Sequence, residues 1–219
     1  MSIYGDRGNV LALTQRARWR DIAVEVRAFT AGQDFDADWP DFWFFGGGQD
    51  QGQDIVGADL AGANGAAALT ICGGYQLLGH EYIPENAPAI PGLGVLDVRT
   101  RAGTVRFVGN LVAETPDGLL VGFENHSGRT YLGPKAKPLG TVVVGNGNNG
   151  EDKTEGAVQD HIVGTYSHGS CLPKNPWLAD RLLAWALERR HGPRTLVPLD
   201  DREEKAASAQ AAEVARARA

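Results

Sequence analysis

Cys72 and His168 are the two side chains in this sequence whose type and setting best fit covalent catalysis. Cys72 lies between the uncharged run at 67–71 and the pair Gly73 and Gly74, a pattern that predicts a sharp turn from a buried strand into a short helix over 75–79. The N-terminus of that helix favours a thiolate over a thiol, which makes the sulfur nucleophilic. His168 follows a second apolar run at 162–166 and is a candidate base for the thiol. A lone buried cysteine more often acts as a small hydrophobic residue, and this is the alternative interpretation of Cys72.

Three consecutive glycines, Gly46, Gly47 and Gly48, follow the apolar F-W-F-F run at 42–45. Because no side chain covers a glycine amide, Gly47 and Gly48, together with the amide of Gly73, can bind the oxyanion of a tetrahedral intermediate. The alternative is that the glycines form only a tight turn. The carboxyl ends of parallel strands meet at one edge of a sheet, so we expect the glycines, the cysteine and the histidine to lie together there.

The elements that must position these residues alternate between helix and strand in the first part of the chain. Apolar spacing predicts helices over 10–20 and 49–61 and strands over 22–26, 42–45 and 67–71. This alternation predicts an α/β fold with a central, mostly parallel sheet flanked by helices. From Pro91 onward, short apolar runs between glycine-bearing turns predict additional antiparallel strands, at 93–100, 105–114, 119–124 and 141–144. The remaining sequence predicts a helix over 177–190 and, at 203–219, either a surface helix or a frayed tail.

The composition is that of an ordinary globular protein and excludes several classes. The chain has 219 residues, 42% of them hydrophobic, and a net charge of -6, which argues against nucleic acid or an anionic membrane as the main partner. No apolar run is long enough to span a membrane, and the first ten residues lack the apolar core of a secretory signal, so we expect a cytoplasmic protein. Its two cysteines, Cys72 and Cys171, are too few for a disulfide framework and wrongly spaced for structural zinc, so we expect no bound metal. We predict one catalytic domain over 1–200 and a C-terminal helix or tail over 201–219.

Several segments resemble class I glutamine amidotransferases, in particular the branch that includes the cobyric-acid-synthase type. The segment T-I-C-G-G-Y-Q-L-L-G around Cys72 resembles the nucleophile motif of that class. The segments at 122–131, 145–156 and 164–176 closely resemble the GatD family, the amidotransferase subunits of lipid II isoglutaminyl synthases. The similarity covers nearly the whole chain and implies a class I amidotransferase fold and hydrolysis of L-glutamine.

The resemblance also implies roles for individual residues. The cysteine of the elbow is the family's nucleophile and the histidine of its Y-x-H-G motif is the base, and these match Cys72 and His168. The arginine of a T-x-R-x-x-G segment, which matches Arg106, is implicated in substrate handling; it can pair bidentately with a carboxylate, or else is an ordinary surface arginine. Gln76, one helical turn after Cys72, is a candidate contact to bound glutamine, or else a solvent-facing helix residue.

The reaction implied by this resemblance needs a second chain. In the family, ammonia passes to a Mur-ligase-like synthetase subunit of the MurT type in a heterodimer, which amidates D-glutamate of lipid II to D-isoglutamine in peptidoglycan synthesis. The sequence contains no G-x-x-x-x-G-K-[ST] motif, so no cofactor is expected in this chain, and ATP and Mg²⁺ are expected on the partner. The alternatives are an amidotransferase for a cobyrinate or cobyrate acceptor and a non-catalytic subunit that keeps the fold.

Two positions depart from the class I pattern. Many class I enzymes have a glutamate two residues after the histidine, where this chain has Ser170, so the usual acid that orients the base is missing. Asp160 or Glu124 can take this part, or the partner can supply a carboxylate. Thr70 stands where many class I motifs have glycine, which favours the narrower branch.

Three remaining features are weaker. Residues 145–150 match G-x-G-x-x-G, but E-D-K follows instead of an apolar helix, so we predict a turn and not a dinucleotide site. His126, His168 and Cys171 do not make a convincing zinc site, because no second close pair of ligands is present. The opening segment Y-G-D-R-G-N resembles a loop that follows a first strand in the family, so we expect either a native start upstream of Met1 or a chain that is marginally stable without its partner.

Overall fold

The fold comes from a computed structural model, which describes residues 6–29, 36, 38–47 and 65–218. The helices in these ranges are α1 (Asp6–Arg18), α2 (Gly73–Leu78), α3 (Cys171–Lys174), α4 (Pro176–His191) and α5 (Arg202–Arg216). The strands are β1 (Phe42–Phe45), β2 (Ala67–Ile71), β3 (Glu81–Ile83), β4 (Ile90–Pro91), β5 (Val98–Thr115), β6 (Gly118–Leu132), β7 (Gly140–Val144), β8 (Thr154–Glu155), β9 (Ala157–Gln159) and β10 (Ile162–Thr165). None of these helices has the length and apolar character needed to cross a membrane.

A four-stranded sheet holds the strands that precede the candidate catalytic residues. Its order is β1-β2-β10-β9, with β1, β2 and β10 mutually parallel and β9 antiparallel to β10. Every residue of β2 is buried, as expected for a central parallel strand covered on both faces, and this explains its uncharged sequence. The carboxyl ends of β1, β2 and β10 therefore meet at one edge.

A six-stranded sheet is built around the long hairpin of β5 and β6. These strands pair antiparallel along nearly their whole length, with a register shift between Ala102 and Phe107. The other strands complete the order β4-β3-β5-β7-β8. An isolated bridge between Phe123 of β6 and His168 joins the hairpin to the catalytic edge of the first sheet.

Two apolar clusters fix the two sides of the turn between β2 and α2. One packs Leu69 and Ile71 of β2 against α3 and α4, including Leu172 and Leu178. The other surrounds Tyr75 of α2. Burial of each such side chain is worth about 1.5–3 kcal/mol, so the backbone on both sides of Cys72 is held by packing.

The N-terminal region differs from its sequence-based prediction in two ways. Residues 22–29 have no regular structure, so the strand predicted at 22–26 is wrong; Val24 and Val26 alternate with polar residues but are 39% and 59% exposed, since no neighbouring strand covers them among the described residues. Helix α1 begins at Asp6 and not at Val10. The turn-forming residue Asn9 is tolerated inside it because its Oδ1 accepts a 2.9 Å hydrogen bond from the Leu172 N–H.

The rest of the element prediction is largely confirmed. Strands at 42–45, 67–71, 140–144 and 162–165 and the helix at 176–191 lie where expected. The strand predicted at 105–114 and residues 98–100 of the strand predicted at 93–100 are parts of the single strand β5, whereas residues 93–97 are not in a strand. The C-terminal segment is a surface helix, since Ala212 and Ala215 of α5 are buried in a cluster with valines of the second sheet. The helix predicted at 49–61 and residues 1–5 lie outside the described residues.

Candidate active site

Cys72 occupies the sharp turn that its neighbours predict. It follows β2, precedes α2 and has φ 53° and ψ −107°, a strained combination for a residue with a Cβ. Its N–H donates to the Thr165 carbonyl at 3.0 Å and its carbonyl accepts from the Gln76 N–H at 3.0 Å. Gly74 lets α2 approach β1, because a Cβ there would lie 2.8 Å from that of Phe45. The thiol therefore projects at the sheet edge from the N-terminus of a helix.

His168 lies at the same edge, just beyond the end of β10. Ile71 and Thr165 are paired in register on adjacent parallel strands, so Cys72 and the segment that leads to His168 leave the sheet side by side. The His168 N–H donates to the Phe123 carbonyl at 2.7 Å, and the residue is only 1% exposed. Desolvation, helped by His126 and Arg106, lowers the pKa of His168 to about 4. The imidazole is therefore neutral near pH 7, as a base that accepts a thiol proton must be.

Arg106 lies on the exposed rim of this edge. Its Nε donates to Asn125 Oδ1 at 2.6 Å, and its charge is one of the causes that lower the pKa of His168. Asn125 is paired with Val108 across the hairpin, next to the register shift. The guanidinium is thus held near the base, where it can bind a carboxylate from solvent.

Gln76 is buried, so its interpretation as a solvent-facing helix residue is wrong. Its Nε2 donates to Tyr166 Oη at 3.1 Å, and that hydroxyl also lies 2.7 Å from Thr130 Oγ1. Burial raises the pKa of Tyr166, and the negative charge of a Cys72 thiolate raises it further. Gln76 therefore belongs to a buried polar network near Cys72.

The structure brings one of the predicted oxyanion donors next to the nucleophile. Gly73 is the first residue of α2, and amides in a first helical turn have no partner within the helix. The Gly47 N–H instead interacts with the Asp6 carboxyl. Burial raises the pKa of this carboxyl to about 6, and the interaction with Gly47 partly offsets that increase. Gly46 cannot carry a side chain, because a Cβ would collide with the Asp6 carboxylate. Gly48 lies outside the described residues.

Sequence comparison assigns this arrangement of residues to a known family. Residues 1–176 match the model of the CobB/CobQ-like glutamine amidotransferase domain. The chain belongs to this amidotransferase family. It is 42% identical over 200 residues to the lipid II isoglutaminyl synthase (glutamine-hydrolyzing) subunit GatD of Staphylococcus aureus (strain N315), an alignment that covers 87% of this chain and 82% of that protein.

Further matches agree with the family assignment. The GatD subunit of Streptococcus pneumoniae (strain ATCC BAA-255 / R6) is 41% identical over 210 residues, 90% of this chain and 81% of that protein. A crystal structure of a glutamine amidotransferase has a TM-score of 0.51 at 17% identity, and the match covers 80% of this chain and 93% of that one. The resemblance and the fold class expected from the sequence are therefore confirmed.

The two internal carboxylates considered for orienting the amidotransferase base are placed differently: Asp160 lies away from it, whereas Glu124 follows Phe123, whose carbonyl accepts the His168 N–H. Asp160 is in the turn between β9 and β10, so the full length of β10 separates it from His168. Glu124 accepts from the backbone N–H groups of Asn146 and Gly147, both at 2.9 Å. It also accepts from Asn146 Nδ2 at 2.7 Å, and His126 Nε2 lies 3.8 Å from its Oε2.

Sequence reasoning missed two buried acids near this edge, Asp6 and Glu155. Both are at most 2% exposed. Asp6 belongs to a segment that resembles a loop, and Glu155 follows the surface-like run E-D-K-T. No periodicity marks either position, because its burial depends on residues far along the chain.

Proposed function

We propose that this chain is the glutamine-hydrolysing subunit of a lipid II isoglutaminyl synthase. The observation that carries the proposal is the identity to two such subunits over 87–90% of this chain. The site supports it, because Cys72 and His168 lie at the carboxyl ends of adjacent parallel strands. A non-catalytic subunit would have no need for a strained cysteine at a helix N-terminus beside a buried histidine.

The first half-reaction forms a thioester. His168 takes the thiol proton of Cys72, and the sulfur attacks the side-chain carbonyl carbon of L-glutamine. The oxyanion of the tetrahedral intermediate lies at the N-terminus of α2, where the Gly73 N–H can donate to it. The intermediate collapses as His168 returns its proton to the leaving nitrogen, which departs as ammonia.

The second half-reaction regenerates the thiol. His168 accepts a proton from water, and the hydroxyl adds to the thioester carbon. Collapse of this second intermediate breaks the C–S bond, and the proton returns to the sulfur of Cys72. The net reaction converts L-glutamine and water to L-glutamate and ammonia.

Arg106 and Gln76 are proposed to bind glutamine in different ways. Arg106 is exposed at the rim and would pair with the substrate's α-carboxylate. Gln76 is buried and bonded to Tyr166, so it would shape the pocket wall beside Cys72. An Arg106→Ala variant should raise KM for glutamine by at least about 10-fold with a smaller change in kcat, since the ion pair is present in both ground and transition states.

Ammonia would pass to a partner that performs the ligation. We infer a heterodimer with a Mur-ligase-like synthetase of the MurT type, which holds ATP and Mg²⁺ and amidates D-glutamate of lipid II to D-isoglutamine on the cytoplasmic side of peptidoglycan synthesis. With Ser170 at the usual acid position, Asp160 at the far end of β10 and Glu124 accepting the Asn146 and Gly147 N–H groups, the acid that orients His168 would come from this partner.

The test is to co-purify the chain with its native partner and identify the amidated product. We expect ATP-dependent conversion of the D-glutamate carboxyl to the amide with glutamine as nitrogen donor, and loss of this conversion in Cys72→Ala. Free ammonia should restore product formation in that variant, because the ligase site remains intact. Amidation of a cobyrinate-type acceptor, or full glutamine-dependent activity of Cys72→Ala, would refute the proposal.

A further inference from the structure

Glu155 is a fully buried acid that the reaction steps above do not use. It lies in β8 and is 0% exposed. Its Oε1 accepts hydrogen bonds from Thr165 Oγ1 at 2.5 Å and from the Tyr166 N–H at 3.0 Å. Both donors belong to the segment that ends β10 and leads to the base. One carboxylate oxygen therefore holds two consecutive residues of that segment.

The hydrogen bonds continue from Thr165 to His168. Thr165 Oγ1 donates to Glu155 and accepts from the Ser167 N–H at 2.9 Å. The next N–H, that of His168, donates to the Phe123 carbonyl at 2.7 Å. Glu155 thus determines, directly or through one hydroxyl, where the N–H groups of the two residues before the base lie.

The same segment also carries the nucleophile's anchor. The Thr165 carbonyl accepts the Cys72 N–H at 3.0 Å. Thr165 is therefore bonded both to the cysteine elbow and to the segment that carries His168, and a displacement of Thr165 would disturb both. A misplacement of reacting groups by 1 Å is enough to cost about 100-fold in rate.

We propose that Glu155 is a positioning residue that sets His168 relative to Cys72 by holding Thr165, Tyr166 and, through Thr165, Ser167. The proposal rests on the proposed glutaminase function for its kinetic test. A buried acid costs stability unless its hydrogen bonds compensate, and here the nearby Glu124 adds repulsion. Glu155 therefore carries this energetic cost at a position where its carboxyl group accepts the Tyr166 N–H, in the segment that leads to the base.

Three variants and a matched control test the proposal in the complex with the synthetase subunit. Glu155→Leu keeps the approximate size but removes both hydrogen bonds, and should lower kcat about 100-fold with KM within about 3-fold. Glu155→Gln keeps an amide oxygen that can accept both donors, and should retain kcat within about 5-fold. Thr165→Val removes the bridging hydroxyl and should lower kcat about 10-fold.

Asp152→Asn is the control, because Asp152 lies in the same segment but binds only its near neighbours Asn149 and Thr154. It should leave kcat unchanged. Equal losses in Glu155→Leu and Glu155→Gln, a loss confined to KM, or a loss in Asp152→Asn as large as in Glu155→Leu would each overturn the proposal. If Glu155→Leu does not fold, normal kcat in Thr165→Val overturns it.

Alkylation of Cys72 by iodoacetamide separates this proposal from the proposed function, since it needs no substrate. A correctly placed neutral His168 accepts the thiol proton as the sulfur attacks iodoacetamide, so the alkylation rate at pH 7 should fall about 10-fold in Glu155→Leu but not in Asp152→Asn. An unchanged alkylation rate in Glu155→Leu would overturn the positioning role even if glutamine hydrolysis is observed. A lower alkylation rate in Glu155→Leu, in a chain that hydrolyses no glutamine, would support the positioning role and refute the proposed function.

Discussion

Glu155 and His168 should make the stability of this protein depend on pH in opposite directions. Burial raises the pKa of Glu155 from 4.5 to about 7, whereas burial lowers the pKa of His168 from 6.5 to about 4. Each change corresponds to about 3 kcal/mol of folding free energy at about 1.4 kcal/mol per pH unit. Glu155 contacts the segment that leads to His168, and one pair of variants can separate the two groups.

The signs follow from which state binds the proton. Between pH 4.5 and 7 folded Glu155 keeps a proton that the unfolded chain releases. Its contribution to the free energy of unfolding is therefore fully present below pH 4.5 and is lost as the pH rises to 7. Between pH 4 and 6.5 the unfolded chain protonates His168 and the folded protein does not, so its contribution is present above pH 6.5 and is lost as the pH falls to 4. From pH 4.5 to 6.5 the two slopes nearly cancel in the native sequence.

Urea unfolding at pH 5.0 and 7.5 measures each slope by difference. The free energy of unfolding of Glu155→Gln should rise by about 2 kcal/mol relative to the native sequence on going from pH 5.0 to 7.5, because the buried carboxyl whose ionisation destabilises the native protein is gone. The free energy of unfolding of His168→Gln should fall by about 2 kcal/mol relative to the native sequence over the same interval. The reason is that the native protein is destabilised at pH 5.0 by protonation of His168 in the unfolded chain, and the variant is not. Any effect of the substitutions that does not depend on pH cancels in these differences.

Two results would refute this reasoning. One is a difference between Glu155→Gln and the native sequence that stays the same, within about 0.5 kcal/mol, at both pH values. The other is a change of the same sign in both variants. Equal urea m-values for all three proteins are the control, since they show that the same surface is exposed on unfolding.

Three further predictions concern the thiols, the partner and the packing around the elbow. An electrophilic glutamine analogue should label Cys72 and leave Cys171 unmodified, since Cys171 is 0% exposed and burial raises its pKa; peptide mapping that finds the adduct on Cys171 would contradict this. The lone chain should be a poor glutaminase whose turnover rises when the synthetase subunit is added, and full activity of the lone chain would exclude an acid supplied by the partner. Gly164→Ala should destabilise the fold by about 1–3 kcal/mol in thermal unfolding, because its Cβ would collide with the Tyr75 ring. Gly109→Ala is the control and should be nearly neutral, since its Cβ would enter open space. Equal effects of the two substitutions would refute the packing argument.

The fold could be predicted where a local pattern and its tertiary surroundings agree. The uncharged run before Cys72 becomes a strand buried at every position, and the antiparallel character after Pro91 follows from short apolar runs between turns. The prediction fails where the pattern needs a partner that the structure does not provide. Val24 and Val26 alternate as in a strand, yet remain exposed without a neighbouring strand among the described residues. Conversely, Asn9 lies inside a helix because Leu172, far along the chain, binds its side chain.

The candidate site divides in the same way. Cys72 could be found because its role depends on local geometry, namely a strand, a turn and a glycine pair in direct succession. Glu155 could not be found, because in the sequence it is equivalent to Asp152, an acid three residues earlier in the same polar segment. Asp152 is exposed and binds its near neighbours, whereas β8 pairs with β7 and places Glu155 against the end of β10, where Thr165 lies. What gives a carboxylate a function here is which strand end it contacts, and that is determined by sheet topology and not by the residues around it in sequence.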